Sequence, residues 1–330
     1  MPKHFCLASL KAALYRAAFF VTTAAILSSC SQIQPPYAFI TNQLDNSLSI
    51  IDTSTQTVIK TLVVGDKPAG ITVSTKAQRA FVTNPDGQDI SVIDTASLSV
   101  INHVPVSGGP VGIVTNANGT LVYIADWYEN IISIYDVKKS RISATIPVGK
   151  SPAGMVINSK DNELYVANRD DDNVMIIDLQ SHRIKKTIDV GKAPFGLALS
   201  PDNSTLYSVN VQSSNVSVID LIQDKVTNTI NVGSWPYCAV VSPDGTTLYV
   251  TNQDDSTISI IDTINPSIMT SVEVGDSPEG IDITEDGKFV YVSNWGDGSV
   301  TVIDTYDYSV ANTITTGEGS RAFGNFILKN

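Results

Sequence analysis

Histidine and cysteine are nearly absent from this chain, with three of each in 330 residues. Beyond the first thirty positions only His103, His182 and Cys238 remain. No histidines stand at a metal-ligand spacing and Cys238 has no thiol partner, so the sequence offers no zinc site. A Ser-His-Asp triad needs a histidine at the reacting centre, and both histidines fall on or beside outer strands. No catalytic residue, metal or cofactor is therefore assigned. Charge is also scarce: 16% of residues are charged, with 21 basic against 33 acidic side chains and a net charge of −12. Binding a phosphate backbone needs clustered Lys and Arg, so nucleic acid is disfavoured as a partner. Long helix-forming runs are missing after the N-terminal stretch. What remains is rich in Val, Ile and Thr, with 21 Gly among frequent Asn and Asp, a composition suited to strands and tight turns.

The single long apolar run is at the N-terminus. Lys3, Lys11 and Arg16 precede "AAFFVTTAAIL" (17–27), with no acid before residue 30. The run is too short to span a bilayer and reads as a secretory signal over residues 1–29. Leu27-Ser28-Ser29-Cys30 resembles the lipobox of bacterial lipoproteins. That resemblance implies cleavage before Cys30, lipid on Cys30, and residues 30–36 as a tether. Ser31 in the next position implies release to the outer membrane. The plainer reading is ordinary signal cleavage with Cys30 incidental. The expected location is the bacterial cell envelope, anchored in the outer membrane and facing the periplasm, with the cell surface as the alternative. With Cys30 acylated no intramolecular disulfide is available, so the fold must stand on its packing.

The rest of the chain is periodic. Asn42, Asn84, Asp126, Asn168, Asn210, Asn252 and Asn294 follow one another at intervals of 42 residues. Asp52, Asp94, Asp136, Asp178, Asp220, Asp262 and Asp304 repeat the interval without insertion. Pro68, Pro110, Pro152, Pro194, Pro236 and Pro278 keep the same register. Each copy holds four short β patterns. In "YCAVVS", "TLYVTN", "TISIID" and "SIMTSVEVG" (237–275) the third alternates polar and apolar with period 2. Four strands per repeat is a propeller blade, and a blade cannot bury both faces alone. The sequence thus predicts an all-β, seven-bladed β-propeller over residues 37–330. The chain opens on a second strand, "YAFITN" (37–42), and ends on a first strand, "RAFGNFIL" (321–328), so the C-terminal strand is expected to join the N-terminal blade and close the ring.

"LYVTNQDDSTISIIDT" and "VGDSPEGIDITEDGKFVYVSN" resemble the YVTN β-propeller repeat of bacterial and archaeal envelope and surface-layer proteins. The resemblance covers residues 37 to about 328. It implies a propeller and no single activity.

Residues that recur every 42 positions serve the fold, and residues that break the pattern are candidates for function. Trp127 and Trp295 stand where other copies have Gln43, Pro85, Arg169, Val211 and Gln253. Trp235 stands where others have Lys67, Gly109, Ser151, Ala193 and Ser277. Both positions are in loops on the top face. Trp127, Tyr128, Arg169, Phe195, Trp235, Tyr237, Glu279, Trp295 and Arg321 form the candidate contact surface for an envelope protein, a glycan or a small ligand. The plainer reading is that these rings plug the channel mouth or pack between loops. On the opposite face, Lys138, Lys139, Arg141, Arg183, Lys185 and Lys186 form a candidate membrane-facing basic patch, on the side where the tether leaves. "NRDDDN" (168–173) lacks the ordered ligands of a calcium loop and reads as a solvated acidic turn. A monomeric, non-catalytic binding or scaffold module is the leading expectation. The alternative is a propeller enzyme or cofactor carrier, of lactonase, lyase or quinoprotein type, acting through top-face carboxylates.

Overall fold

In the computed structural model the described residues are 36–329, apart from 159 and 161. Cys30, the signal stretch and most of the tether lie outside them. Six sheets have four antiparallel strands, in sequence order from centre to rim. Blade 2 is Ile71–Ser74, Arg79–Asn84, Asp89–Asp94 and Ser99–Pro105. Blades 3 to 7 begin at Pro110, Pro152, Pro194, Pro236 and Pro278 and keep the same order. Blade 1 has three regular strands, Tyr37–Asn42, Ser47–Asp52 and Thr57–Val63. Its fourth comes from the other end of the chain. Phe39 N donates to Phe326 O at 3.0 Å, Leu328 N to Tyr37 O at 2.8 Å and Arg321 N to Thr41 O at 2.8 Å. The ring is the predicted all-β, seven-bladed one, although the closing segment pairs through isolated bridges and not as a continuous strand.

The third strand of blade 6 is buried on both faces, so the central polar position of its alternation is covered too: Ser259 is 2% exposed. In "TISIID" the residues Ile258, Ile260 and Ile261 have no exposed surface; Ile258 and Ile260 cluster with Tyr249, Val290, Val292 and Ile303 of their own and the next blade, and Ile261 with Val209 and Val216 of the preceding one. The repeated Asn ties the loops to the strands. Asn252 Oδ1 accepts from Gly233 N at 3.1 Å, while its amide donates to Thr257 and Ser259 at 3.0 Å each. The repeated Asp at the end of the third strand caps the next turn: Asp262 Oδ1 accepts from Ile264 N at 2.8 Å and Asn265 N at 3.1 Å. These amides hold the Asp262 carboxyl below its ordinary range, as the Ser97 amide does for Asp94.

Neighbouring blades are joined by a recurrent hydroxyl. Thr83 Oγ1 accepts from Gly70 N at 2.8 Å and donates to Val111 O of blade 3 at 2.9 Å. Thr41, Thr251 and Ser293 make the equivalent bonds to Ala69, Glu279 and Arg321. The same position holds Ala125, Ala167 and Val209 in blades 3, 4 and 5, where no hydroxyl is available.

One closing contact departs from the repeat. Asp282, 1% exposed on the innermost strand of blade 7, stands where other blades have Thr72, Val114, Val156, Ala198 and Val240. Its carboxylate accepts from Phe326 N at 3.0 Å, Ile327 N at 2.9 Å and Lys329 Nζ at 3.3 Å. The irregular end of the chain is thus pinned by a side chain where ladder bonds are missing.

Candidate functional site

The residue after each repeated proline lines the top mouth of the central channel. In ring order these are Ala69, Val111, Ala153, Phe195, Tyr237 and Glu279, with Arg321 at the matching place on the closing segment. Three adjacent positions are small and four are large. The small side leaves a cavity of about 200 Å³, lined by Gln43, Ala69, Pro85, Gly109, Val111, Trp127, Tyr128, Phe195, Tyr237 and Arg321. Phe195 also lines a second, smaller void of about 60 Å³ in the channel below, together with Cys238 and Phe323. Phe195 is thus common to the linings of both spaces. Phe195 and Phe323 meet edge to face at 5.4 Å, and Phe195 and Tyr237 lie 4.1 Å apart. Such pairs contribute about 0.5–1.5 kcal/mol each beyond area burial, which makes this floor a firm one.

Charge is paired at the mouth. Arg321 Nε lies 2.7 Å from Glu279 Oε2, and its Nη2 donates to the Tyr237 hydroxyl at 2.5 Å. Gln253 donates to the other Glu279 oxygen at 2.9 Å. Burial pushes the Glu279 carboxyl up, against the pull of Arg321 and Gln253. The same burial pushes up the Tyr237 phenol and the Cys238 thiol. Arg169 sits 5.8 Å over the Trp127 ring and pairs with Asp170 at 2.7 Å.

The wall at Trp127 and Tyr128 follows from two coupled departures in the third repeat. Asp126 replaces the usual Asn, and Ser107 replaces the usual Gly. The donor moves two residues along the loop, so that Gly109 N bonds to Asp126 Oδ1 at 3.1 Å. At Asn168 and Asn252 the donor is the repeat's own glycine, Gly149 N and Gly233 N. Tyr128 N and Glu129 N bond the same oxygen at 3.1 and 3.0 Å. Gly109 lies flat beneath Tyr128: a Cβ there would come within 2.6 Å of the ring. The absent side chain gives Tyr128 its seat at the cavity edge.

Of the nine candidate residues, the cavity brings together Trp127, Tyr128, Phe195, Tyr237 and Arg321. Arg169 stacks behind Trp127, and Glu279 is buried behind Arg321. Trp295 is turned aside, its indole donating to Gln43 Oε1 at 3.1 Å. Trp235, 39% exposed, does not line the cavity and sits in a left-handed turn at φ 53°. Phe195, Tyr237 and Glu279 are buried and not outward-facing. Gln43, Ala69, Pro85, Val111 and Phe323 were not singled out from the sequence. The signal for Ala69 and Val111 is the run of small residues in the register of Phe195 and Tyr237.

On the bottom face the six basic residues are exposed. Lys139 pairs with Asp136 at 2.7 Å and Lys185 with Glu163. Arg183, Lys185 and Lys186 stand on blade 4's outermost strand, Arg183–Asp189, where charge also discourages edge pairing. Pro36 O accepts from Thr53 N at 2.9 Å, so the chain enters at the bottom of blade 1. The groove beside it, of about 640 Å³, is lined by Glu285 and Asp286. The aspartates of 168–173 are each engaged: Asp170 with Ser151 and Arg169, Asp171 with Lys150, and Asp172 with Lys192 and Ala193 N.

Among solved structures, the chain is similar to hydrazine synthase of Kuenenia stuttgartiensis, at TM-score 0.70 and 21% identity over 76% of this chain and 87% of that one. It is also similar to a functionally unknown protein of Desulfotomaculum acetoxidans, at TM-score 0.77 and 14% identity over 88% and 98%. At these identities the likeness is one of fold. No curated protein matches the chain. Residues 5–328 match the YNCE-like beta-propeller family, and the chain belongs to that family.

Proposed function

We propose that the protein is a non-catalytic binding module of the bacterial envelope, and that it captures its ligand in the cavity at the top of the ring. The observation that carries this reading is the break in the repeat at the mouth. Ala69 and Val111 leave a space that Trp127, Tyr128, Phe195, Tyr237 and Arg321 wall. A concave, mostly aromatic site with few polar groups is the usual form of a small-ligand pocket. Its lining holds no Asp, Glu, His or Cys among the described residues. Glu279, the carboxylate nearest an enzymatic role, is committed to Arg321 and Gln253. These placements favour binding over the catalytic alternative.

Ligand-observed NMR with a panel of envelope glycan fragments and small metabolites tests the reading. The expected result is a set of binders lost in Val111→Phe and kept in Trp235→Ala. Binding that is indifferent to Val111→Phe would overturn it.

The same reading places lipid on Cys30 and turns the bottom face to the membrane. The entry point at Pro36 supports a bottom-side tether, and the remaining six residues back to Cys30 reach roughly 20 Å when extended. Mass spectrometry of the membrane fraction should find Cys30 acylated, and Cys30→Ala should release the propeller. Charge reversal at Lys138 and Lys186 should weaken docking on anionic vesicles. Docking that does not change would remove the basic patch from the account.

A further inference from the structure

We infer that the top cavity selects an uncharged, single-ring ligand bearing an oxygen acceptor, and rejects ions of either sign. The inference rests on the binding reading above and adds a ligand class to it.

Size comes first. A cavity of about 200 Å³ is below the range of about 300–1,000 Å³ typical of drug-sized sites. It equals roughly six or seven waters at about 30 Å³ each. One substituted ring fills it.

Charge comes second. Both cations near the cavity are already neutralised, Arg321 by Glu279 at 2.7 Å and Arg169 by Asp170 at 2.7 Å. An anion would enter a site with no net positive charge, on a chain of net charge −12. A cation fares no better. Two of the lining rings already carry a cation: Arg169 lies 5.8 Å over Trp127, and Arg321 lies 5.8 Å over Tyr237. A second cation would meet those guanidinium groups as a like charge.

Hydrogen bonding comes third. An indole N–H can only donate, so the bond from Trp295 fixes Gln43 Oε1 as its acceptor. That leaves the Gln43 amide N–H₂ as the free end of the side chain. Arg321 Nη2 donates to Tyr237, and Nε is held 2.7 Å from Glu279 Oε2 as an ion pair without hydrogen-bond geometry, which leaves Nη1. The cavity therefore offers donors from Gln43 and Arg321, and its side walls are rings and aliphatic groups. A carbonyl, ether or hydroxyl oxygen on the ligand answers those donors.

Benzamide, benzoate and benzylammonium share one size and differ in charge. Each is titrated into ¹⁵N-labelled protein while the three tryptophan indole signals are followed. The expected result is that benzamide moves the Trp127 signal, with at least tenfold weaker binding for benzoate and benzylammonium. The Trp235 signal should stay in place as an internal control. Val111→Phe, and independently Ala69→Leu, should abolish the shift while leaving the Trp235 signal of a folded protein. If either ion binds as tightly as benzamide, or if none of the three moves Trp127, the inference is overturned, and the cavity-dependent binders of the glycan and metabolite panel still stand. If the shift survives both cavity-filling variants, the cavity is not the site and the binding reading falls with it.

Discussion

Blades 6, 7, 1 and 2 differ from blades 3, 4 and 5 in how they hold their neighbours. In the first arc a buried hydroxyl on the second strand, Thr251, Ser293, Thr41 or Thr83, reaches the next blade's backbone. In the second arc the position is Ala125, Ala167 or Val209, and side chains of the top loops make the links instead. Arg169 of blade 4 stacks on Trp127 of blade 3, and Trp127 lies 6.4 Å from Phe195 of blade 5. The arc that closes the ring is fastened by polar bonds near the channel. The other arc supplies Trp127, Tyr128 and Phe195 to the cavity wall, which Tyr237 of blade 6 completes. The contrast suggests that ring integrity and binding are carried by different residues of the same repeat.

That separation can be broken most severely at the closing arc. Deleting residues 318–330 removes the innermost strand of blade 1 and exposes two sheet edges. The expected outcome is loss of cooperative unfolding, or aggregation, in a thermal melt. An unchanged melt would refute the closure. Asp282→Ala leaves the buried amides of Phe326 and Ile327 without an acceptor. It should cost about 3 kcal/mol in urea denaturation, at about 1–3 kcal/mol for each orphaned buried group. The hydroxyl locks are worth less: Thr83→Ala should cost about 1–2 kcal/mol. The reverse change in the other arc, Ala125→Thr, should gain at most about 1 kcal/mol. Equal losses from Thr83→Ala and Phe195→Ala in ligand binding would erase the distinction between arcs.

A smaller effect separates the repeat's turns from the mouth. Asp94, Asp220 and Asp262 are held below the ordinary carboxylate range by the amides of Ser97, Gln223 and Asn265. A carboxylate depressed in the folded state contributes stability above its unfolded value of about 3.9, and that stability is lost as pH falls through the folded value. The urea midpoint should therefore hold steady from neutral pH to about 5 on account of these groups and decline below about 4. Replacing Asp94, Asp220 and Asp262 by Asn should flatten that decline, and an unaltered slope would discard the turn aspartates as its source.

The fold was legible because its determinants recur. The 42-residue spacing of Asn252 and its equivalents, together with the period-2 pattern of "TISIID", specifies strands, register and blade number. The mouth was legible only in part. Trp127 and Tyr128 stood out as bulky residues in polar positions. Ala69 and Val111, whose smallness makes the cavity, are marked only by being small in the register of Phe195 and Tyr237. Nor could the sequence tell that Phe195 and Tyr237, at the start of innermost strands, lie inward while Trp235, in the turn before one, lies outward, since all three map to the top face. Asp282 was hidden for another reason: its partners are backbone amides from the far end of the chain, which no local pattern reveals.

The central claim is that the mouth's departures from the repeat bind, while its regularities hold the ring. Thermal melts of wild type and Val111→Phe, with and without benzamide at tenfold its Kd, test it most directly. A ligand that binds only the folded state at that excess adds about 1.4 kcal/mol, worth about 2 °C or more in a chain of this size. The account predicts that shift for wild type, and for Val111→Phe a ligand-free midpoint within a few degrees of wild type and no shift. A Val111→Phe protein that keeps the benzamide shift would contradict it.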